Sequence, residues 1–311
     1  MLIEKQPLVT VGLPVYNGAA QIRVALDSML AQDYENFEVV VLDNASMDNT
    51  EEIVREYTAR DKRIQYFRNE VNVGAVGNFE KVAQLRSGKY FCWLAHDDCR
   101  APSFLSKCVA KLEANPSVIL CSVDVGVLDD KGELMTQFEG NVGFLGLETV
   151  GVNVVDKVAD FVNRACCCVV YGVMRSEVFD AVGKFPAVFG WDYIFLVKLL
   201  LLGDFLRIPE KLIFYTFTQK NVGQYLDLLF TPQDRPQKAI TGQAKMLIRV
   251  VLESPIAIED KRRILDRFFD FIQNSHFWAV GITQENKGEL DKELRKYFLK
   301  GLLVDLETFL P

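Results

Sequence analysis

The first hundred residues alternate between short apolar runs and stretches with helical spacing, and that alternation limits the fold more than any other feature of the chain. Leu8 to Pro14 is a β-rich run closed by proline, followed by the turn Val15-Tyr16-Asn17-Gly18. Ala19 to Ala31 then carries Ile22, Ala25, Leu26, Met29 and Leu30 at helical spacing. Phe37 to Asp43 is the second apolar run, and a polar loop with Ser46 and Asp48 as candidate caps leads into a helix bearing Ile53, Val54 and Tyr57. Ile64 to Phe67 is the third run, with a helix predicted from about Ala75 to Leu85. The fourth, opening at Tyr90-Phe91-Cys92-Trp93, shows no polar alternation and therefore suits a strand covered on both faces. A strictly alternating series of this kind calls for an α/β architecture with a parallel, right-handed, doubly wound sheet.

The ligands of such sheets bind outside the carboxyl ends of the strands. Two runs end there in acids, Asp43 after the second and Asp97-Asp98 after the fourth. Adjacent carboxylates repel unless a positive group lies beside them, and a hard divalent cation is the usual partner. The competing reading is an Asp-Asp turn capping the helix that starts near Pro102. Neither a G-x-G-x-x-G fingerprint nor a G-x-x-x-x-G-K-S/T phosphate loop follows the first strand. A nucleotide would instead be held by the proline-fixed loop with its Tyr16 ring, by Asp43 accepting from a base N–H, and by a metal-bridged diphosphate at Asp98.

A net charge of −7 argues against a broad nucleic-acid surface. No apolar run reaches the ~18–20 residues that span a bilayer, and the first residues lack a charged-then-apolar layout, so the expected compartment is the cytoplasm. The seven cysteines include no C-x-x-C pair and read as reduced thiols.

Beyond Pro116 the pattern loosens. Val118 to Leu128 reads as a strand, with Glu133 to Phe138 returning antiparallel; residues 139–155 fit no element; Cys168 to Met174 reads as β, with Ser176 capping a helix through Val182. Asp192 opens an apolar helix, Ile194 to Leu202, and reads from its position as a cap. Leu206 to Phe217 is a last strand broken at Pro209. From residue 221 helical patterns appear near 238–253, 259–281 and 289–309, so the expected division is a catalytic domain at 1–220 and a helical extension at 221–311. The apolar stripe of this extension (Ile264, Leu265, Phe268, Phe269, Phe271, Ile272), flanked by Lys261, Arg262, Arg263 and Arg267, admits three readings: a helical cover, a homodimer surface, or a peripheral contact with the inner face of a membrane. Interleaved acids weigh against the last. His276 reads as a packed ring.

Four segments together, Leu13-Pro14-Val15-Tyr16-Asn17-Gly18, Leu42-Asp43-Asn44-Ala45-Ser46-x-Asp48-x-Thr50, Asn69-x-x-Asn72-x-Gly74-x-x-x-Asn78 and Ala95-His96-Asp97-Asp98, resemble the nucleotide-sugar half of family-2 glycosyltransferases. The resemblance is close over the first 130 residues and looser to Thr218. It implies the A-type glycosyltransferase fold, a Rossmann-like mixed, mainly parallel sheet flanked by helices. It also implies that Pro14, Tyr16, Asn17, Asp43, Asn72, Asn78 and Asp97 bind the nucleotide sugar, that Asp98 holds Mn²⁺ or Mg²⁺, and that Asp192 is the catalytic base. The implied reaction is metal-assisted, inverting transfer to a saccharide or lipid-linked hydroxyl acceptor in polysaccharide biosynthesis. Asp43 suits a uracil or thymine imide, which favours a uridine or thymidine diphosphate sugar. The chain departs from the family pattern at Ala95, where relatives have an acid, at Gly77, where many have Arg, and near Thr216 to Lys220, where a His is missing. A nucleotidyltransferase and a non-catalytic nucleotide-sugar-binding module are the alternatives.

Overall fold

β1 (Val9–Val15) is buried at every position, which is why its sequence shows no polar alternation: it lies between two parallel neighbours and is covered on both faces. In the computed structural model, residues 6–216 and 239–274 are described. β2 (Phe37–Asp43) pairs with β1 from Val9↔Phe37 to Val15↔Asp43, β3 (Ile64–Arg68) pairs with β2, and β4 (Tyr90–Trp93) takes the other side of β1, all parallel. The helices between them, α1 (Ile22–Leu30), α2 (Thr50–Arg60) and α3 (Gly74–Gln84), are the crossovers that the alternation requires. Their order in the sheet, β3-β2-β1-β4, puts all four carboxyl ends on one rim.

The sheet then becomes mixed. β5 (Cys99–Arg100) and α4 (Phe104–Ala114) follow the acid turn, and β6 (Val118–Leu128), β7 (Val173–Arg175) and β8 (Asp204–Thr216) complete the eight-stranded order β3-β2-β1-β4-β7-β6-β8-β5. β7 is antiparallel to both β4 and β6, whereas β8 runs parallel to β6. The β6–β8 register jumps between Val123↔Ile208 and Asp124↔Lys211, so Pro209 and Glu210 are carried as a bulge. A proline that cannot donate to a ladder is accommodated there without ending the strand.

Three expectations change. The return strand at Glu133 to Phe138 reduces to one bridge, Leu128↔Leu134, and a 3-10 turn at Thr136–Phe138. Most of the Cys168 to Met174 run is also 3-10, at Cys167–Tyr171, since only Val173 onward finds strand neighbours. Ser176 does not cap a helix: its hydroxyl donates to the Gly88 carbonyl at 2.6 Å, and α6 (Val178–Val182) starts later.

The chain divides into two units. The first comprises the sheet and α1–α4 together with Cys166–Phe185; the second comprises Gly151–Ala165, Pro186–Gly203 and the helices from Ala239 onward. The expected boundary at residue 220 therefore differs from this division, because two inner segments join the later helices. One of them, α5 (Val154–Arg164), opens at Asn153, whose side chain accepts from the Asp156 amide, and ends at Ala165 in the left-handed region at φ 50. Within the second unit α5 packs on α9 (Ile258–Asn274), and α7 (Trp191–Leu202) on α8 (Ala239–Glu253). Ile264, Leu265, Phe268 and Ile272 of the α9 stripe are buried. Lys261 is not a free flanking cation but buries its ammonium on the Leu252 carbonyl that closes α8. His276, Lys220 and the pattern at 289–309 lie outside the described residues, among which no helix is long and apolar enough to cross a membrane.

Candidate functional site

At the carboxyl rim the loop after β1 is clasped by the loop after β2. The Asn17, Gly18 and Ala19 amides donate in sequence to Ser46 Oγ (2.9 Å), Thr50 Oγ1 (2.9 Å) and Asp48 Oδ2 (3.0 Å), while Asn17 Oδ1 accepts from the Met47 amide at 2.8 Å. Asn17 and Ala45 adopt positive φ, 50 and 63, to make these turns. Pro14 is buried at the end of β1, and Tyr16 projects with 38% of its surface exposed. Gly18 permits close approach to the acid turn, since a Cβ there would stand 2.8 Å from the His96 ring.

Asp43 has no exposed surface, and its carboxylate already accepts three bonds: Ser46 N at 2.8 Å, Tyr66 Oη at 2.7 Å and Arg68 Nη1 at 2.5 Å. Burial first, and the bond to Asp43 besides, push the Tyr66 phenol upward, so it remains an O–H donor. Arg68 also donates to the Ser46 carbonyl at 2.8 Å and stays partly exposed at the rim. Asp43 is thus a buried anchor for an outward cation, a role that a β-strand ending in Asp does not announce. Arg68 was not singled out from the sequence; its only signal is that it directly follows the third apolar run.

Four asparagines fix the next stretch of rim. Asn44 donates to Asn72 Oδ1 (2.8 Å) and the Gly74 carbonyl (3.2 Å) and accepts from the Val73 amide (3.0 Å) and Asn69 Nδ2 (3.0 Å). Asn69 also donates to Asn78 Oδ1 at 2.8 Å, and Asn78 to the Leu42 carbonyl at 2.9 Å. Asn72 and Asn78 therefore hold the start of α3 to the end of β2. Asn44→Ala is expected to orphan at least two buried groups, costing on the order of 2–4 kcal/mol. Thermal melting should show a fall of roughly 5–15 °C; an unchanged midpoint would mean that the network carries no stability.

The turn after β4 carries the paired acids. Asp97 is partly exposed, its backbone carbonyl accepting from Thr216 Oγ1 at 2.9 Å, and its Oδ1 lies 3.9 Å from His96 Nδ1. Asp98 is 2% exposed, and its Oδ1 is buried with no hydrogen-bond partner. Burial pushes its pKa up to about 7, with Asp97 adding to the rise and Arg100 opposing it. A buried carboxylate oxygen with no donor fits a cation, which would satisfy it as a hydrogen bond would. Among the described residues no group of three His, Cys, Asp or Glu side chains could enclose a metal. The fit is therefore to an ion that brings other oxygen ligands with it.

Asp192 belongs to the second unit, in the first turn of α7. Gly190 precedes that helix at φ 66, where a Cβ would collide with Gln243 at 2.0 Å, so only glycine starts the helix in this register. Gly190, not Asp192, occupies the Ncap position, and the Asp192 carboxylate lies against the first-turn amides of Tyr193 and Asp192 itself, which oppose the effect of its burial. Asp192 is half-buried, and burial raises its carboxyl pKa above the ordinary value. A carboxyl moved toward neutrality is suited to exchanging a proton.

An uncharacterized glycosyltransferase of Rickettsia felis is 38% identical over 131 residues, 40% of this chain and 21% of that protein. One of Methanocaldococcus jannaschii is 32% identical over 136 residues, 43% of this chain and 47% of its own length. The chain thus matches less than half the length of these relatives. Among solved structures, S. aureus TarS 1-349 in complex with UDP-GlcNAc superposes at TM-score 0.69 over 97% of this chain and 91% of that one, with 16% identity. The mannosyltransferase PcManGT from Pyrobaculum calidifontis, in complex with GDP-Man and Mn²⁺, does so at TM-score 0.56 over 98% and 87%, also with 16% identity. At such identity the likeness establishes the A-type fold alone. The profile of glycosyl transferase family 2 matches residues 10–183, more than half of the chain, and with the clasped rim and its acid turn in place the chain belongs to that family.

Proposed function

We propose that the protein transfers a sugar from a nucleoside diphosphate sugar to a hydroxyl of a saccharide or lipid-linked acceptor, with inversion. The observation that carries this reading is the unpartnered, buried Oδ1 of Asp98 at the rim of the parallel sheet. A divalent cation, Mn²⁺ or Mg²⁺, would be held by Asp98 and supply charge neutralisation to the leaving diphosphate. Asp97, beside it, orients the ribose or the donor sugar. Pro14, Tyr16 and Asn17 form the wall for the base, with Asp43 acting through Arg68, and Asn72 and Asn78 acting by fixing the loop before α3. Asp192 takes the proton from the acceptor hydroxyl as it attacks the anomeric carbon, and the nucleotide departs from the opposite side. TarS and PcManGT, similar in fold, are solved with UDP-GlcNAc and with GDP-Man, so uridine and guanosine donors are both in scope.

The test is a thermal-shift screen of UDP, dTDP and GDP with and without Mn²⁺, followed by measurement of nucleotide release from the matching sugars. Stabilisation by one nucleotide only when Mn²⁺ is present, together with release, is expected. No stabilisation by any of them would overturn the donor reading, and binding without release or transfer would make the protein a binding module.

A further inference from the structure

Arg100 is buried beneath the acid turn without a carboxylate to pair with. Only 4% of its surface is exposed; Nη2 donates to the Trp93 carbonyl at 3.1 Å and Nη1 to the Cys99 carbonyl at 3.3 Å, and Nε is buried with no partner. Its guanidinium lies over the rings of Phe104 and Tyr171, 5.4 and 5.8 Å from their centroids. Among the described residues it forms no ion pair. A buried cation is normally paired, so an unpaired one beside two acids needs an explanation.

Its charge offsets part of that of Asp97 and Asp98, and with alanine at position 95 the turn is left with a single net negative charge. Buried charges are only weakly screened by salt, so a doubly positive ion approaching Asp98 meets the full repulsion of Arg100. A diphosphate arriving with that ion brings negative charge and the missing oxygen ligands together. We propose that Arg100 makes divalent-cation binding at Asp98 conditional on the donor diphosphate, so that the metal enters as its nucleotide complex rather than as the free ion. This rests on the donor reading above, and Arg100 acts on the site through Asp98 without touching substrate.

The experiment compares wild type, Arg100→Met, Arg100→Gln and Arg100→Lys at pH 8, each first checked for an intact melting transition. Free Mn²⁺ is followed by electron paramagnetic resonance without nucleotide and then with UDP, dTDP and GDP in turn, the nucleotide that responds standing for UDP in the comparison of variants. Wild type and Arg100→Lys, which keep the charge, are expected to bind free Mn²⁺ weakly and to bind it at least tenfold more tightly with UDP. Arg100→Met and Arg100→Gln are expected to bind the free ion on the order of tenfold more tightly than wild type, narrowing the gain from UDP. If all three variants weaken Mn²⁺ binding, Arg100 is a clamp on the two carbonyls, and the proposal falls; it falls equally if removing the charge leaves free-ion affinity unchanged. The free-ion measurement contains no nucleotide and so judges Arg100's charge separately. If no variant responds to any of UDP, dTDP or GDP, it is the donor reading that fails.

Discussion

Asp98→Ala is expected to abolish Mn²⁺-dependent nucleotide binding, lowering the affinity for the nucleotide diphosphate in Mn²⁺ by at least about 100-fold, equivalent to roughly 3 kcal/mol. The carboxylate is nearly fully enclosed and its Oδ1 has no donor, so no other group at that spot replaces it. The same burial gives the variant a second signature. With the Asp98 pKa raised in the fold to about 7, the folded state binds the proton more tightly than the unfolded chain. The associated stability is present at low pH and is lost as pH rises from about 4 through 7. A rise of that size corresponds to on the order of 4 kcal/mol. The metal-free variant should therefore melt higher than wild type at pH 8, with the advantage shrinking toward pH 5. Added Mn²⁺ with nucleotide should stabilise wild type alone. Calorimetry showing undiminished affinity in Mn²⁺ would remove Asp98 from the cation site, and a melting difference independent of pH would show that burial does not raise its pKa.

Asp192→Asn should separate chemistry from binding. The amide keeps the shape of the side chain on the first turn of α7 but cannot accept a proton, so turnover is expected to fall about 10²–10⁴-fold. Affinity for the nucleotide and Mn²⁺ should stay within twofold, since those contacts are assigned to the other unit. Single-turnover transfer and calorimetry on the same preparation check both halves. Transfer at the wild-type rate would show that another group is the base; loss of nucleotide binding would show that Asp192 is part of the donor pocket.

Periodicity made the first half of the fold readable, because strands covered on both faces have no polar positions to disguise them and each crossover carries a full helical face. Adjacent acids after the fourth run marked the rim for the same reason. What the pattern concealed depends on which partners a segment meets. Cys167–Tyr171 has the composition of a strand but no edge to join until Val173, so it coils into 3-10 turns. The segment 154–164 has an Asn153 cap and apolar residues at 155, 158, 161 and 162, a signal present but obscured by the irregular stretch before it. Asp43, Asn72 and Asn78 were picked out by their motifs, yet their hydrogen bonds run to protein groups, which spacing cannot reveal. Arg100 carries no motif at all; its burial is decided by Phe104 and Tyr171, residues that meet it only in the fold.

The asparagine ring around Asn44 and the clasp between Asn17 and Ser46 have a kinetic corollary. Because these loops are already cross-tied, a base bound as proposed above would find its wall standing and need not wait for a segment to settle around it. Capture at this end should be governed by diffusion and charge, and amide hydrogens of Gly18, Ser46 and Val73 should exchange slowly even in protein that has never met a nucleotide.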